Sequence, residues 1–389
     1  MPEQHDLTRI LDDVVRYRKR TRELRELVLA NVVMIGEIPS PTFGEAGRMD
    51  FLRNRFTESG LESISIDEAG NCTAVLPGSK GERNILVAAH ADTVYDATVD
   101  HTLYVSEDRI SGAGVADNSL GLAVMASLPI VLEKLKIKLN SNLVLVGSTR
   151  SLGRGDLAGL RFFLDNSKLP INSAICLEGV HIGRLSYSCL GMLRAEITCT
   201  VSPDRQGDGE SFGAIAAMNR IVGKMLAIRI PQHPRTSIIM GSLNAGKGYK
   251  APPPSAVLRF EVRSEQLGMV GEILNEIELI LAEMNSDPGI NATIQILARR
   301  RPGGIPFKHP LVQCARSIMD KLDIHPLVAP SVGELSALIA RGIPGVTLGI
   351  TQAGDDDDSA SSVMVKPIMT GIAQVIGMLQ AIDGGLCDG

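Results

Sequence analysis

The residues best suited to chemistry in this chain are a histidine and an aspartate, His90 and Asp92, in the stretch Ala89-His90-Ala91-Asp92-Thr93. They follow the apolar run Ile85-Leu86-Val87-Ala88-Ala89, which reads as a buried parallel strand. Open α/β sheets place their ligand sites at the carboxyl ends of such strands. A histidine there can hold a metal through one ring nitrogen while a nearby carboxylate orients the ring through the other. Taken alone, the pair is equally well described as a hydrogen-bonded histidine beside a solvated aspartate.

Two further carboxylates extend the set. The glycine-rich turn Gly112-Ala113-Gly114-Val115-Ala116-Asp117-Asn118-Ser119-Leu120-Gly121 delivers Asp117 to a helix start, where an aspartate commonly serves only as an N-cap. Glu178 closes the apolar strand Ala174-Ile175-Cys176-Leu177. A glutamate there is costly unless it is solvated, paired or coordinated. Together His90, Asp117 and Glu178 make a histidine-plus-two-carboxylate set, the donor type of a catalytic zinc with one position open to water.

Periodicity outlines the elements that must position these residues. Helical patterning covers 7–36 and stops at Ile38-Pro39-Ser40-Pro41-Thr42, because proline disfavours helix at and before itself. A helix is expected over 44–59, ending at Gly60, then strands over 62–66, 71–76 and 84–89. An apolar helix over 119–135, strands over 142–147 and 173–178 and a helix near 155–165 continue a βαβ pattern. After about residue 190 the pattern changes to strands at 192–201 and 256–263 and helices at 212–229 and 267–285, a small α+β domain inserted into the first. Its exit is expected at Arg299-Arg300-Arg301-Pro302-Gly303-Gly304. Helices at 309–322, 333–341 and 366–382 and a strand at 345–350 return to the first domain. The domains are therefore 1–190 with 304–389, and 191–303.

Composition limits the function. The 389 residues are enough for two domains. A net charge of −5, with aromatics at 3% and no tryptophan, leaves no basic or stacking footprint for nucleic acid. The six cysteines, Cys72, Cys176, Cys189, Cys199, Cys314 and Cys387, lack C-x-x-C spacing and read as reduced thiols of a cytoplasmic protein. No leader is evident after Met1, and no apolar run is expected to reach the roughly 20 residues of a membrane-spanning helix.

With these residues in hand, the chain resembles the aminoacylase/carboxypeptidase group of co-catalytic zinc hydrolases, which includes acetylornithine deacetylase, succinyl-diaminopimelate desuccinylase and the tripeptidases. The resemblance rests on an ordered series: Glu37-Ile38-Pro39-Ser40-Pro41, Asp67-Glu68-Ala69-Gly70-Asn71, His90-Ala91-Asp92, Asp117-Asn118, Gly153-Arg154-Gly155-Asp156-Leu157, Leu177-Glu178-Gly179 and Gly342-Ile343-Pro344-Gly345-Val346-Thr347-Leu348-Gly349. It implies a zinc-exopeptidase-like α/β fold, a mixed sheet flanked by helices, with an inserted two-layer lid domain. It also implies that His90, a bridging Asp117 and Glu178 hold one zinc, with Asp92 orienting His90, and that chains pair as homodimers through the lid.

The second half of the implied site departs from that pattern. Where the resemblance calls for a general-base glutamate and a ligand glutamate, this chain has Ser151 and Leu152. The last ligand should be a histidine after the strand at 345–350, yet no histidine follows His325. Asp357, in the run Asp355-Asp356-Asp357-Asp358, stands near that position, though such a run is also an ordinary solvated loop. The lid histidine is missing and Lys250 replaces an asparagine ahead of Pro253-Pro254. Arg263 is retained as a substrate-carboxylate ligand or a structural ion pair. His181 could substitute as a ligand or lie on the surface, and Glu334 reads as a charge at a helix start.

The expectation is a hydrolase-family protein with at most one zinc per chain, or none. It is a non-peptidase homologue or pseudoenzyme, since four catalytic positions are replaced together. The alternatives are a single-metal hydrolase of short peptides or N-acyl amino acids, and an enzyme repurposed for other chemistry. In the last case Arg150, Arg154 and Arg299–Arg301 would form an anion site. Its ligand is a small molecule or short peptide, with no nucleic acid or membrane partner.

Overall fold

The computed structural model describes residues 2–202, 213–249, 251–354 and 361–389. The chain forms two compact units, Met1–Cys189 with Gly304–Gly389, and Leu190–Gly303.

The first unit is built on an eight-stranded sheet in the order Glu62–Ile66, Cys72–Leu76, Asn142–Ser148, Asn84–His90, Ser173–Val180, Gly345–Thr351, Arg184–Ser186 and Leu327–Val328. Its four central strands run parallel, Cys72–Leu76 is antiparallel to both of its neighbours, and Arg184–Ser186 is antiparallel to Gly345–Thr351 but parallel to Leu327–Val328. Every residue from Asn84 to His90 and from Gly345 to Thr351 is buried, as expected for strands covered on both faces. On one face Ile85, Val87, Ile175 and Leu177 join the main core with the helices Leu120–Leu135 and Ile368–Asp383. On the other, Leu86, Ala88, Val144, Val146, Ala174 and Cys176 pack against Leu160, Phe163, Leu335 and Leu338.

Several boundaries move. The helical pattern over 7–36 is two α-helices, Pro2–Arg20 and Arg25–Gly36, joined by a tight 3₁₀ turn at Thr21–Leu24. Thr21 is buried at this junction and donates its hydroxyl back to the Tyr17 carbonyl, the local bond by which threonine competes with regular helix. The helix expected near 155–165 begins only at Ala158, after Asp156 and Leu157 take positive φ. The expectation that no apolar run reaches membrane-spanning length is corrected. Val115–Leu135 has 21 residues and a mean hydropathy of 1.6, and 89% of its most apolar window is buried inside the structure. It is the core helix of the sheet.

The second unit has four antiparallel strands where two were expected, in the order Thr236–Ala245, Ser255–Ser264, Gly191–Val201 and Ile290–Arg300. The helices Gly213–Leu226 and Met269–Asn285 contribute Met218, Ile221, Ile277 and Leu281 to a core with Leu193, Ile197, Leu258 and Phe260. The two missed strands are its edges. Thr236–Ala245 is mostly open to solvent and bunches its apolar residues at Ile238-Ile239-Met240, so it lacks the apolar alternation that reveals a strand. Of the segment expected as the exit, Arg299 and Arg300 finish the strand Ile290–Arg300, and the second unit ends at Gly303.

Candidate metal centre

His90 ends its strand directly opposite Ser148. The same strand pairs with Ser173–Val180 up to Ala88 opposite Cys176, so His90 and Glu178 emerge at one sheet edge. Strand alternation turns both toward the face that carries Ala88 and Cys176.

Asp117 arrives from the turn that precedes the core helix. Gly114 takes φ +71° to make this turn, a conformation glycine adopts without penalty. Asp117 does not cap the helix, as it might have from sequence. Ser119 occupies the capping position, and Asp117 keeps extended-type angles of φ −133° and ψ 87°. Its carboxylate turns instead to His90, with Oδ1 3.0 Å from Nε2. One donor atom each from His90, Asp117 and Glu178 lies within 4.8 Å of the others.

The ring of His90 is set from behind. Its Nδ1 lies 3.0 Å from the Asp92 carbonyl oxygen and 3.5 Å from Asp92 Oδ1. The backbone carbonyl of Asp92 therefore does the closer orienting and the carboxylate seconds it. That carboxylate is in turn held by Thr42 Oγ1 at 2.8 Å, Ser151 N at 3.1 Å and Leu152 N at 2.8 Å. Ser151 and Leu152 thus serve the site through their backbone amides. The Ser151 side chain is buried, 3.4 Å from Ser148 Oγ, and among the described residues it has no hydrogen bond to an acidic or basic side chain that would make it a proton acceptor.

Glu178 is placed by Asn118, whose amide nitrogen donates to the Leu177 carbonyl and whose amide oxygen accepts from Gly179 N–H, both at 2.8 Å. Gly179 has to be glycine, because a Cβ there would run into the Ala116 carbonyl. Arg184 Nη1 approaches Glu178 Oε1 at 3.8 Å.

Charge in the site is out of balance. Asp92, Glu178 and Glu334 are largely buried, and Asp117 is partly open, with 42% of its side chain exposed. Burial, with the charges of Asp117 and Glu334, pushes the Glu178 carboxyl up to about 7 despite His90 and Arg184. Burial alone would lower the His90 imidazolium; the charges of Glu334 and Asp117 and the hydrogen bonds to Asp117 and Asp92 hold it well above its usual range. For Asp92 and Asp117 burial is outweighed by hydrogen bonding and attraction to His90, and both carboxyls fall below their ordinary value. Protons on His90 and Glu178 stand where positive charge is needed. These are the groups a cation displaces protons from when it binds. The donor chemistry therefore fits a divalent ion.

The remaining sequence candidates fall elsewhere. Asp357 and its acidic run lie outside the described residues, as does Lys250. Arg263 sits in the second unit, bonded through Nε and Nη2 to Glu261 Oε2 at 2.8 and 2.5 Å, which is the ion pair named as one of its two expected roles. His181 is exposed and takes φ +60°. Arg150 stacks over Phe43 at 5.9 Å. Glu334 does stand at a helix start, preceding Leu335–Ile339; what the sequence does not show is that it is only 4% exposed and that its Oε1 has no hydrogen-bond partner among the described residues. Asn118 and Arg184 were not singled out in sequence. Asn118 stood beside Asp117, but an amide gives no hint of which distant strand it will hold.

No family model and no curated protein matches this sequence. Solved structures do match, and they place the chain among proteins with the M20 metallopeptidase fold. A tripeptidase from Staphylococcus aureus superposes with a TM-score of 0.73 at 16% identity, covering 92% of this chain and 99% of its own. A dipeptidase from Saccharomyces cerevisiae gives 0.77 at 10% identity, covering 95% and 98%. A dinuclear metal-binding peptidase of the M20 family from Bacillus subtilis gives 0.63 at 15% identity, covering 93% and 98%. The shared property at these identities is the architecture.

Proposed function

We propose that this chain is a one-cation homologue of the two-metal peptidases that share its fold. His90 Nε2, Asp117 and Glu178 hold a single divalent ion, zinc by the chemistry of the donors. Its ligands are short peptides or N-acyl amino acids. The observation that carries this reading is the three-residue donor set gathered within 4.8 Å, in a pocket with more buried carboxylate than positive charge to meet it. A bound ion there would polarise an amide carbonyl and acidify water.

What the chain's own residues do differs from a two-metal peptidase. The backbone amides of 151 and 152 hold Asp92, which holds His90; neither side chain takes a proton or binds an ion. Loss of a positioned base typically costs 10²–10⁴-fold in rate, order of magnitude. Binding with feeble turnover is therefore the expected behaviour, which is the non-peptidase reading with one ion retained. Elemental analysis of the purified protein after zinc loading and gel filtration tests it. One zinc per chain, lost in His90→Ala, is expected; two per chain, or none, overturns it.

The second unit supports a separate proposal, association with a second copy. Its sheet ends on Thr236–Ala245, a strand open along one edge, which is a surface able to pair with another strand. Light scattering that returns a monomer mass at micromolar concentration would overturn it.

A further inference from the structure

Glu334 is a buried carboxylate that the donor set leaves unexplained. It precedes the short helix Leu335–Ile339 and is 4% exposed. Buried polar atoms almost always find a partner, yet Glu334 Oε1 has none among the described residues. Its own helix is too short to account for it.

Packing fixes where this carboxylate sits. Leu335, Ala337 and Leu338 pack in one cluster with Leu86, Ala88 and Cys176. Ala88 and Cys176 are each one pleat before His90 and Glu178. The start of the helix therefore lies over the sheet edge where those two side chains emerge. Gly333 runs alongside as well: a Cβ built on it would come 3.6 Å from Glu178 Oε1. Electrostatics agrees with this placement, since the charge of Glu334 bears on His90, Glu178 and Cys176. It stands outside the group whose donor atoms lie within 4.8 Å of one another, close enough to act on an ion through its charge but not as one of the three donors.

We infer that Glu334 is the fourth carboxylate of the cation site, a positioning residue whose negative charge holds the ion on His90, Asp117 and Glu178 from the Leu335–Ile339 side. The inference rests on the one-cation reading. It assigns to this chain a carboxylate from a different segment than the Ser151–Leu152 turn, where the resemblance called for the missing pair. A buried carboxylate oxygen without a hydrogen bond is unfavourable, and a bound cation is what offsets it. The arrangement also sets ligand preference: with this much negative charge around one ion, the site takes a neutral amide in preference to a free carboxylate at the same point.

The test is metal affinity with the chain intact. Wild type, His90→Ala, Glu334→Gln and Glu334→Asp are titrated with Zn²⁺ and Co²⁺ against a chromophoric chelator, and the melting temperature of each metal-free protein is recorded. Glu334→Gln is expected to weaken both ions by about 10–100-fold while raising the metal-free melting temperature, because it removes a buried charge and keeps the shape. Glu334→Asp, which keeps the charge, should retain more of the affinity. If His90→Ala loses the ion but Glu334→Gln binds as wild type, the inference fails and the one-cation reading stands. A metal-free Glu334→Gln that melts lower with affinity unchanged marks a structural residue and also overturns the inference. Wild type that binds neither ion overturns the reading and the inference with it.

Discussion

Asn118 brackets Glu178. Its side-chain amide donates to the carbonyl one residue before the glutamate and accepts from the amide one residue after it. The turn that supplies Asp117 is thereby locked to the strand that supplies the third donor. The spacing of the two carboxylates is set by one side chain that touches no ligand itself.

Asn118→Ala should therefore cost more than an average core change. Both the Leu177 carbonyl and the Gly179 amide lose their partner in a buried place, a penalty of about 1–3 kcal/mol for each unsatisfied group. Urea denaturation should report a loss of about 2–4 kcal/mol, given partial relaxation. A change below 0.5 kcal/mol, order of magnitude, would mean that the bracket is not holding the strand.

Gly179→Ala attacks the same junction from the other side. The new Cβ meets the Ala116 carbonyl, a backbone atom that cannot rotate away. The turn must shift and carry Asp117 with it. Cobalt affinity should drop even where circular dichroism is unchanged; wild-type affinity in this variant would rule out the close approach.

Arg48 offers a third check. It is fully buried and donates to the carbonyls of Ile38 at 2.9 Å, Ala91 at 3.0 Å and Gly36 at 3.4 Å. Burial lowers its guanidinium to about 10, with Asp92 opposing the fall. Through Ala91 it anchors the bend between His90 and Asp92. Methionine there would leave three carbonyls orphaned, and the loss should reach about 3–5 kcal/mol. Lysine should rescue little, since one ammonium cannot match the planar fork.

The metal-free protein should lose stability as pH rises. Glu178 binds its proton more tightly folded, at about 7, than in an unfolded chain near 4.3. His90 is likewise raised, well above its ordinary value. A group with a raised folded pKa stabilises fully below its unfolded pKa and loses that contribution as pH climbs through the folded one. Between about pH 5 and 8, urea midpoints measured with EDTA present should fall. Asp92 and Asp117 act oppositely, but only in more acidic solution, since their values are depressed. Saturating zinc should flatten the decline by displacing both protons. A midpoint that rises over this range without metal would contradict the charge balance described for the site.

The six thiols are all free and buried. Folded protein should be inert to a thiol reagent such as DTNB, and six equivalents should react after unfolding. Fast native reaction of even one would show that the core opens readily around it.

Much of the donor set was legible because strands announce themselves. His90 and Glu178 each end an apolar run, and the carboxyl ends of parallel strands meet at one edge whatever lies between them. Asp117 was legible only in company, since a helix-start aspartate has a commoner explanation. Glu334 was legible as a charge at a helix start, which it is, but its burial was not, because that depends on the packing of Leu335 and Leu338 on the sheet. Arg184 left no trace, because its pairing depends on an antiparallel strand of three residues. The edge strand Thr236–Ala245 was lost because its apolar residues cluster at Ile238-Ile239-Met240 without alternation, whereas Ile290–Arg300 does alternate over Ile290, Ala292, Ile294 and Ile296 and was masked by the arginine cluster read as a loop.

The parallel register that brings His90 beside Glu178 also dictates when the site can exist. The two strands are joined through the short strands Tyr104–Val105 and Arg109–Ser111, the Asp117 turn, the long core helix, the strand Asn142–Ser148 and a further helix. No two of the three donors His90, Asp117 and Glu178 lie in one short segment. An ion has nothing to grip until these distant pieces have zipped together, so it arrives as a seal on a finished scaffold and not as its template. Zinc present during refolding should leave the folding rate untouched and act on unfolding alone.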